Sequence, residues 1–242
     1  MRLSAVAFFA LFTGLVYLSK LISIIIPVLN EEVRLAGLMD NLSDLSGDYE
    51  VIVVDGGSTD GSAKVAGDGA TVLLSEPGRA TQMNAGAGIA TGSVYWFIHA
   101  DSVVPSRSSV LAIQAAVDRG TRFGCFSLYF HDNNAFLMRL TGLFSTWRAR
   151  YLGWIFGDQG IFVTADLFRQ LDGFPVQPIM EDLQFSINAK HLTKASVIDL
   201  KIGTSARRFT KAGILKTLWL MHRLKYDYFR GVSAHQLWER YR

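Results

Sequence analysis

In this chain of 242 residues, the side chains best suited to chemistry are carboxylates at the ends of short apolar runs. Asp55 follows the run 49–54, and Asp101 follows 94–98 by way of His99 and Ala100. Glu181 and Asp182 stand side by side where a helix is predicted to begin. In open α/β sheets ligands bind beyond the carboxyl ends of the strands, so these acids should share one rim. A carboxylate at a strand exit suits Mg²⁺ or Mn²⁺, hard cations that share oxygen ligands with substrate phosphates. That assigns the metal to Asp101; its bland alternative is an Asp that caps the turn before Pro105. His99 is a ligand, a partner of one, or a core histidine. Asp55 or Asp60 can accept hydrogen bonds from a base or ribose. Glu181-Asp182 reads as a general base for an acceptor hydroxyl, or as acids favoured by a helix dipole. Arg207-Arg208 and Arg79 can clamp phosphates through charge-assisted hydrogen bonds, or lie on the surface.

Two cation or nucleotide motifs are excluded by count. Twelve residues from Asp55, where an EF-hand needs a bidentate Glu, stands Ala66. The third glycine of a dinucleotide fingerprint begun at Gly86-Ala87-Gly88 falls at Thr91, so these glycines are read as close packing.

The elements that must hold these acids alternate. Strands are predicted at 22–27, 49–54, 71–74 and 94–98, with helices between them from about 31, from 62 and at 80–90. Asn30 is the predicted cap of the first helix. Short Gly/Asp/Ser turns join them, as in parallel βαβ units. The second half is less regular: helices at 106–117, 134–151 and 182–189, strands at 125–130, 160–163 and 197–200. A helix over 214–229 carries Lys216, Arg223 and Arg230 at intervals of seven. It lies on a membrane or docks on the domain with its cations in water.

Charge is unevenly spread. Residues 201–242 hold ten Lys/Arg against two acids, Asp227 and Glu239, a balance of +8; residues 1–200 carry 14 − 19 = −5. The tail should face something anionic. Residues 3–19 are uncharged and apolar, a helix of about 26 Å against a bilayer core of roughly 30 Å. This segment is a candidate membrane anchor; a signal peptide lacks a small-x-small site, and a start at Met39 would delete the first strand. The single cysteine, Cys125, allows no internal disulfide, and no Cys/His cluster points to zinc.

Two longer stretches, Ser23-Ile-Ile-Ile-Pro-Val-Leu-Asn-Glu31 and Glu50-Val-Ile-Val-Val-Asp-Gly-Gly-Ser-Thr-Asp60, closely resemble the opening of family-2 glycosyltransferases of GT-A fold. Gly78-Arg-Ala-Thr-Gln-Met-Asn84, His99-Ala-Asp101, Gly157-Asp-Gln159, Gly173-Phe-Pro175, Met180-Glu-Asp182 and Ser205-Ala-Arg-Arg208 extend it, most closely toward the radical-SAM/selenodomain-associated subset. The resemblance implies a GT-A (Rossmann-like) fold, with a mixed, mostly parallel sheet flanked by helices. The predicted organisation is an apolar helix over 1–20, a GT-A domain over 21–210 and a basic amphipathic extension over 211–242.

By that resemblance Pro27, Asn30 and Glu31 border the nucleotide of a nucleotide-diphosphate sugar, expected to be UDP-linked. Asp55, with Ser58 and Asp60 in its turn, contacts the base, and Arg79, Asn84 and His99 lie nearby. Asp101 matches the last acid of the D-x-D metal motif, although His99 replaces the first. Asp182 matches the base of inverting members, with Glu181 beside it. Asp158 and Gln159 line the acceptor side, and Arg207 and Arg208 face the diphosphate. The expected acceptor is unidentified and lipid-linked, with the enzyme at the cytoplasmic face of a membrane. Nucleic acid is not an expected partner. The rivals are a nucleotidyltransferase, which needs an Arg/Lys- and Gly-rich loop where Val28-Leu29-Asn30-Glu31 stands, and a non-catalytic nucleotide- or membrane-binding module.

Overall fold

The computed structural model describes residues 20–241; the predicted anchor over 3–19 lies outside the described residues. Its centre is β1 (Ile22–Val28), buried at every position. That burial follows from two-sided covering: Ile22, Ile24, Ile26 and Val28 enter one apolar layer and Ile25 the other. The strands β2 (Tyr49–Asp55), β3 (Thr71–Leu74) and β4 (Val94–Phe97) pair in parallel around it. Then come β5 (Phe123–Phe130), β6 (Ile161–Thr164) and β7 (Ser196–Thr204). The seven-stranded order is β3-β2-β1-β4-β6-β5-β7. Only β6 runs against its neighbours, β4 and β5, so the predicted mixed, mostly parallel sheet is what forms.

One face is covered by α1 (Glu32–Ser43) and α4 (Ser109–Asp118), through Leu35, Leu38, Leu42, Val110 and Ile113. Between β2 and β3 lies the short α2 (Ser62–Val65). The other face is covered by α3 (Arg79–Ile89), α5 (Phe136–Leu152), α6 (Ala165–Gln170) and α7 (Glu181–Lys190). Sequence periodicity had no element at α6. Gly86 in α3 is read correctly as close packing, since a Cβ there would lie 2.6 Å from Cγ2 of Ile25. Gly88 meets nothing within 4 Å and packs against nothing.

The basic extension holds the predicted helix over 214–229, flanked by two shorter ones. After α8 (Arg207–Ala212) come α9 (Ile214–Phe229) and α10 (Ala234–Tyr241). Leu224 and Leu237 join Ile179, Met180 and Leu183 in a third apolar cluster, so α9 docks on the domain. Its basic stripe is partly neutralised: Asp227 accepts from Arg223 at 3.0 Å and from Arg240 at 2.8 Å. Among the described residues no helix is long and apolar enough to cross a membrane.

Candidate active site

The rim begins where β1 and β2 end side by side. Buried Gln82, from α3, donates its two amide hydrogens to the carbonyls of Val28 and Val54, both at 2.8 Å. This adds a side-chain donor to each of two strand-end carbonyls, that of Val28 also accepting from the Gly56 N–H at 3.0 Å, and ties α3 to both strand ends. Asp55 is buried just beyond, and its Oδ1 accepts from the backbone N–H of Ser58 at 2.8 Å and the Ser58 hydroxyl at 2.6 Å.

Asn30 does not cap the first helix; it takes the left-handed conformation, φ 55°. Its Oδ1 instead accepts from the Thr59 N–H at 2.8 Å, and its own N–H donates to the Ser58 hydroxyl at 2.9 Å. Asn tolerates this conformation because its short polar side chain bonds locally. Asp60 is also committed within the turn, accepting from Ser62 N–H at 3.0 Å and Glu32 N–H at 3.2 Å. The loop after β1 and the turn after β2 are thus sewn together around Asp55.

Arg207, in the first turn of α8, reaches across to this edge. Asp132 holds that start by accepting from the Ser205 hydroxyl at 2.6 Å and the Ala206 N–H at 2.7 Å. Arg207 Nη2 lies 2.9 Å from Glu31 and 3.9 Å from Asp101. Burial opposes the charge on Glu31, but hydrogen bonds from Arg207 and Arg34 outweigh it and hold its carboxyl below the usual range. Arg208 stacks on Tyr241, 3.9 Å from the ring centroid, within reach of the charges of Arg79 and Arg207.

Asp101 follows β4 through a turn in which the His99 N–H donates to the Ser102 hydroxyl at 3.1 Å. Its long approach to Arg207 is its one ion pair among the described residues, and its oxygens accept no hydrogen bond there. The imidazole of His99 packs against Gly157, where a Cβ would stand 2.8 Å from Nε2. Burial and the charge of Arg79 favour its neutral form.

Helix α7 supplies two buried acids. Met180 enters it in the left-handed conformation, φ 67°, which is uncommon for a residue with a Cβ. Asp182 Oδ2 accepts from the Gly157 N–H at 2.8 Å, and Oδ1 from the Leu183 N–H at 2.7 Å. Glu181, 1% exposed, pairs its Oε1 with Nε of Arg79 at 2.8 Å while its buried Oε2 has no hydrogen-bond partner. Burial pushes Glu181 up to about 7; Asp182 adds to the push and Arg79 resists it. Burial likewise pushes Asp158 up to about 6, helped by Asp182 and Asp101 and opposed by Arg148 and Arg79. Such raised carboxyls cluster at catalytic centres, though ion-pair networks also produce them.

Several predicted residues have other employment. Arg79 is bound to Glu181 rather than lying beside Asp55. Asn84 uses both ends of its amide on the backbone of Phe174, at 2.8 and 2.9 Å. Gln159 is fully buried and accepts from Arg148 at 2.9 Å. Pro27 is buried within β1, beneath the rim. Gln82 and Arg148 were not singled out. Arg148 lies buried on α5 beside Gly142, Ser145 and Ala149, and that run of small residues was the available signal of the inward face.

Among the described residues no three His, Cys, Asp or Glu side chains converge to cage a metal. The unbonded carboxylate of Asp101 and the neutral imidazole of His99 fit a cation that draws its other ligands from substrate phosphates and water.

A doubly covered sheet with a nucleotide-sized rim and acids beyond its carboxyl ends defines a GT-A-like domain. Residues 23–169 match the model of the glycosyl transferase family 2, and the chain belongs to that family. Three solved structures share the fold. A Pyrobaculum calidifontis mannosyltransferase, in complex with GDP-Man and Mn²⁺, has a TM-score of 0.63 at 19% identity, over 88% of this chain and 65% of its own. TarS of S. aureus (residues 1–349) scores 0.62 at 18%, over 76% and 60%. Glucosyl-3-phosphoglycerate synthase of Mycobacterium tuberculosis, with Mn²⁺, UDP and glucosyl-3-phosphoglycerate, scores 0.60 at 21%, over 80% and 75%. In sequence, 57 residues are 46% identical to an undecaprenyl-phosphate 4-deoxy-4-formamido-L-arabinose transferase of Aeromonas hydrophila, covering 22% of this chain and 18% of that protein. The chain therefore matches under a fifth of that relative.

Proposed function

We propose that the chain transfers a sugar from a nucleoside diphosphate, UDP-linked, to an acceptor oxygen with inversion at the anomeric carbon. The observation that carries this reading is the convergence of Glu31, Asp101, Arg207, His99 and Asp182 beyond the strand ends. Asp55 and its sewn turn receive the base. Asp101, with His99 beside it, holds a divalent cation, which when bound neutralises the charge that develops on the departing diphosphate. Arg207 adds its own positive charge on the same side. The acceptor oxygen attacks, the bond from the sugar to the diphosphate breaks, and the proton of an acceptor hydroxyl passes to Asp182. The Mn²⁺- and nucleotide-bound neighbours support the cation and the donor class.

Association with a lipid surface fits the outward face of α5. Phe136, Leu140, Leu143, Phe144, Trp147 and Tyr151 are exposed there, and the helix contains Arg but no acid. Aromatic and aliphatic side chains beside arginines suit the interface of an anionic membrane. The Aeromonas relative's undecaprenyl-phosphate acceptor points the same way.

The reading is tested by thermal shift with UDP- and GDP-sugars, with and without Mn²⁺, followed by turnover of Asp182→Asn. A UDP-sugar should raise the melting temperature more in the presence of Mn²⁺. For a hydroxyl acceptor, the variant should lose about 100-fold or more in kcat. Full turnover by the folded variant would remove Asp182 from its role, and no shift with any nucleotide-sugar would remove the donor.

A further inference from the structure

The loop from β5 to β6 and the helix α9 enclose positive charge that the steps above do not use. Arg148, 8% exposed, stands on one face of the Phe156 ring, 4.3 Å from its centroid. The ammonium of Lys225, from α9, approaches the same ring at 5.7 Å. Arg148 donates through Nε to the Trp154 carbonyl at 3.0 Å and through Nη2 to Gln159 at 2.9 Å; its Nη1 makes no hydrogen bond among the described residues. Lys225 makes no hydrogen bond or ion pair among the described residues. The carboxylate whose charge reaches both is Asp158, and one of its oxygens is buried without a partner. Asp182 also reaches Arg148, but Lys225 has only Asp158 against it, and its partly desolvated ammonium is costly unless an anion joins it.

We infer that Arg148, Phe156 and Lys225 form an acceptor-side subsite for a phosphate monoester group, so that the acceptor of the proposed transfer is a phosphorylated compound. The inference rests on the donor reading above and adds the acceptor's chemical class. Position supports it: Phe156 directly precedes Gly157, whose N–H is bonded to Asp182, so a phosphate here lies next to the proposed base. The two cations differ in kind. Arg148 is fixed by its bonds and offers one free Nη; Lys225 is a mobile point charge. Trp154, whose carbonyl holds Arg148, meets Phe229 in a tilted ring contact at 4.8 Å, which puts apolar surface next to Arg148, as the stem of a lipid phosphate would need.

Lys225 also sets the pH range. Burial and Arg148 depress its ammonium to about 8, with Asp158 resisting. The groups facing it are Arg148 from α5, Asp158 from the turn before β6, and His222 one turn earlier on α9. Asp158 is pushed only to about 6 and His222 is lowered, so neither changes charge near pH 8. Anion binding should therefore hold below pH 8 and weaken as Lys225 loses its proton above it.

The test is isothermal titration of the full chain with glycerol 3-phosphate, farnesyl phosphate and farnesol, with UDP titrated in parallel. Wild type should bind one or both phosphate esters and bind farnesol far more weakly. Lys225→Met should weaken ester binding by about tenfold or more, and Lys225→Arg should restore it without the loss above pH 8. Preference for farnesyl phosphate assigns a lipid acceptor, and preference for glycerol 3-phosphate a soluble one. Unchanged ester binding by Lys225→Met, or farnesol binding as tight as its phosphate, overturns the subsite. UDP binding without ester binding also overturns it while leaving the donor reading intact. Absence of UDP binding removes that reading and this inference together.

Discussion

Glu181 should make the protein less stable than it need be, and only above mildly acidic pH. Its carboxyl is 1% exposed, one oxygen has no partner, and Asp182 repels it. Its folded value of about 7 stands above an ordinary 4.5. A carboxyl raised in this direction contributes full stability below pH 4.5, where it is protonated in both states. That stability is lost progressively up to pH 7, because the unfolded chain ionises freely and the folded one does not. The whole difference corresponds to about 3 kcal/mol, and the pull of Arg79 is already within it. Glu181→Gln removes the titration while keeping the shape. Urea unfolding of the variant and of wild type at pH 5 and pH 8 isolates the effect. Relative to wild type, the variant should gain about 2–3 kcal/mol between those two pH values, equivalent to roughly 5–10 °C in Tm. Any constant cost of the amide, such as its own unpaired N–H, cancels in that comparison. A stability difference that is equal at both pH values, or that moves the other way, would refute the assignment of a raised carboxyl at this position. Retaining such a residue at a fold's expense is expected where it acts on the substrate or on the ionisation of Asp182.

Two further outcomes follow from the same geometry. Gln82→Leu removes two side-chain hydrogen bonds that tie α3 to the ends of β1 and β2, although Val28 keeps its Gly56 donor, so urea unfolding should show a loss of about 1–3 kcal/mol, and UDP affinity should fall with it as the rim loosens. A variant as stable as wild type would mean that Gln82 does not brace these strand ends. Phe144 and Trp147 stack in the open on α5, so Phe144→Glu with Trp147→Glu should leave Tm within about 2 °C while abolishing co-sedimentation with anionic phosphatidylglycerol vesicles. Undiminished sedimentation would exclude α5 as the lipid-facing element.

The parts of the molecule that were legible in the sequence are those where one physical demand acts alone. A run such as Ile22–Val28 has to be covered on both faces, and only a central strand of an α/β sheet meets that demand, so β1 to β4 could be placed from composition and turns. The rule that ligands gather at strand carboxyl ends then put Asp55, Asp101 and Glu31 on one edge, which is where they stand. Legibility failed where a polar residue serves the backbone. Asn30, Asp60 and Asn84 carry the same donors and acceptors a nucleotide would use, yet each is bonded to a turn or loop that it holds in shape. Sequence cannot separate the two uses, because the competing partners are N–H and C=O groups common to every residue.

The opposite failure is more informative. Arg148 and Lys225 sit in helices whose neighbours read as ordinary packing; the small residues around Arg148 mark an inward face but not an anion site. Their meaning arises only when both stand against the ring of Phe156, from a loop eight residues after one and far before the other. The proposed donor half of the site is built from contiguous loops after β1, β2 and β4, whereas the proposed acceptor half is built from α5, a loop and α9, brought together by packing alone. A donor site confined to strand-end loops can be kept while the helices that face it are changed. The features that decide the acceptor should therefore be sought on α5 and α9 rather than in the loops that hold the nucleotide.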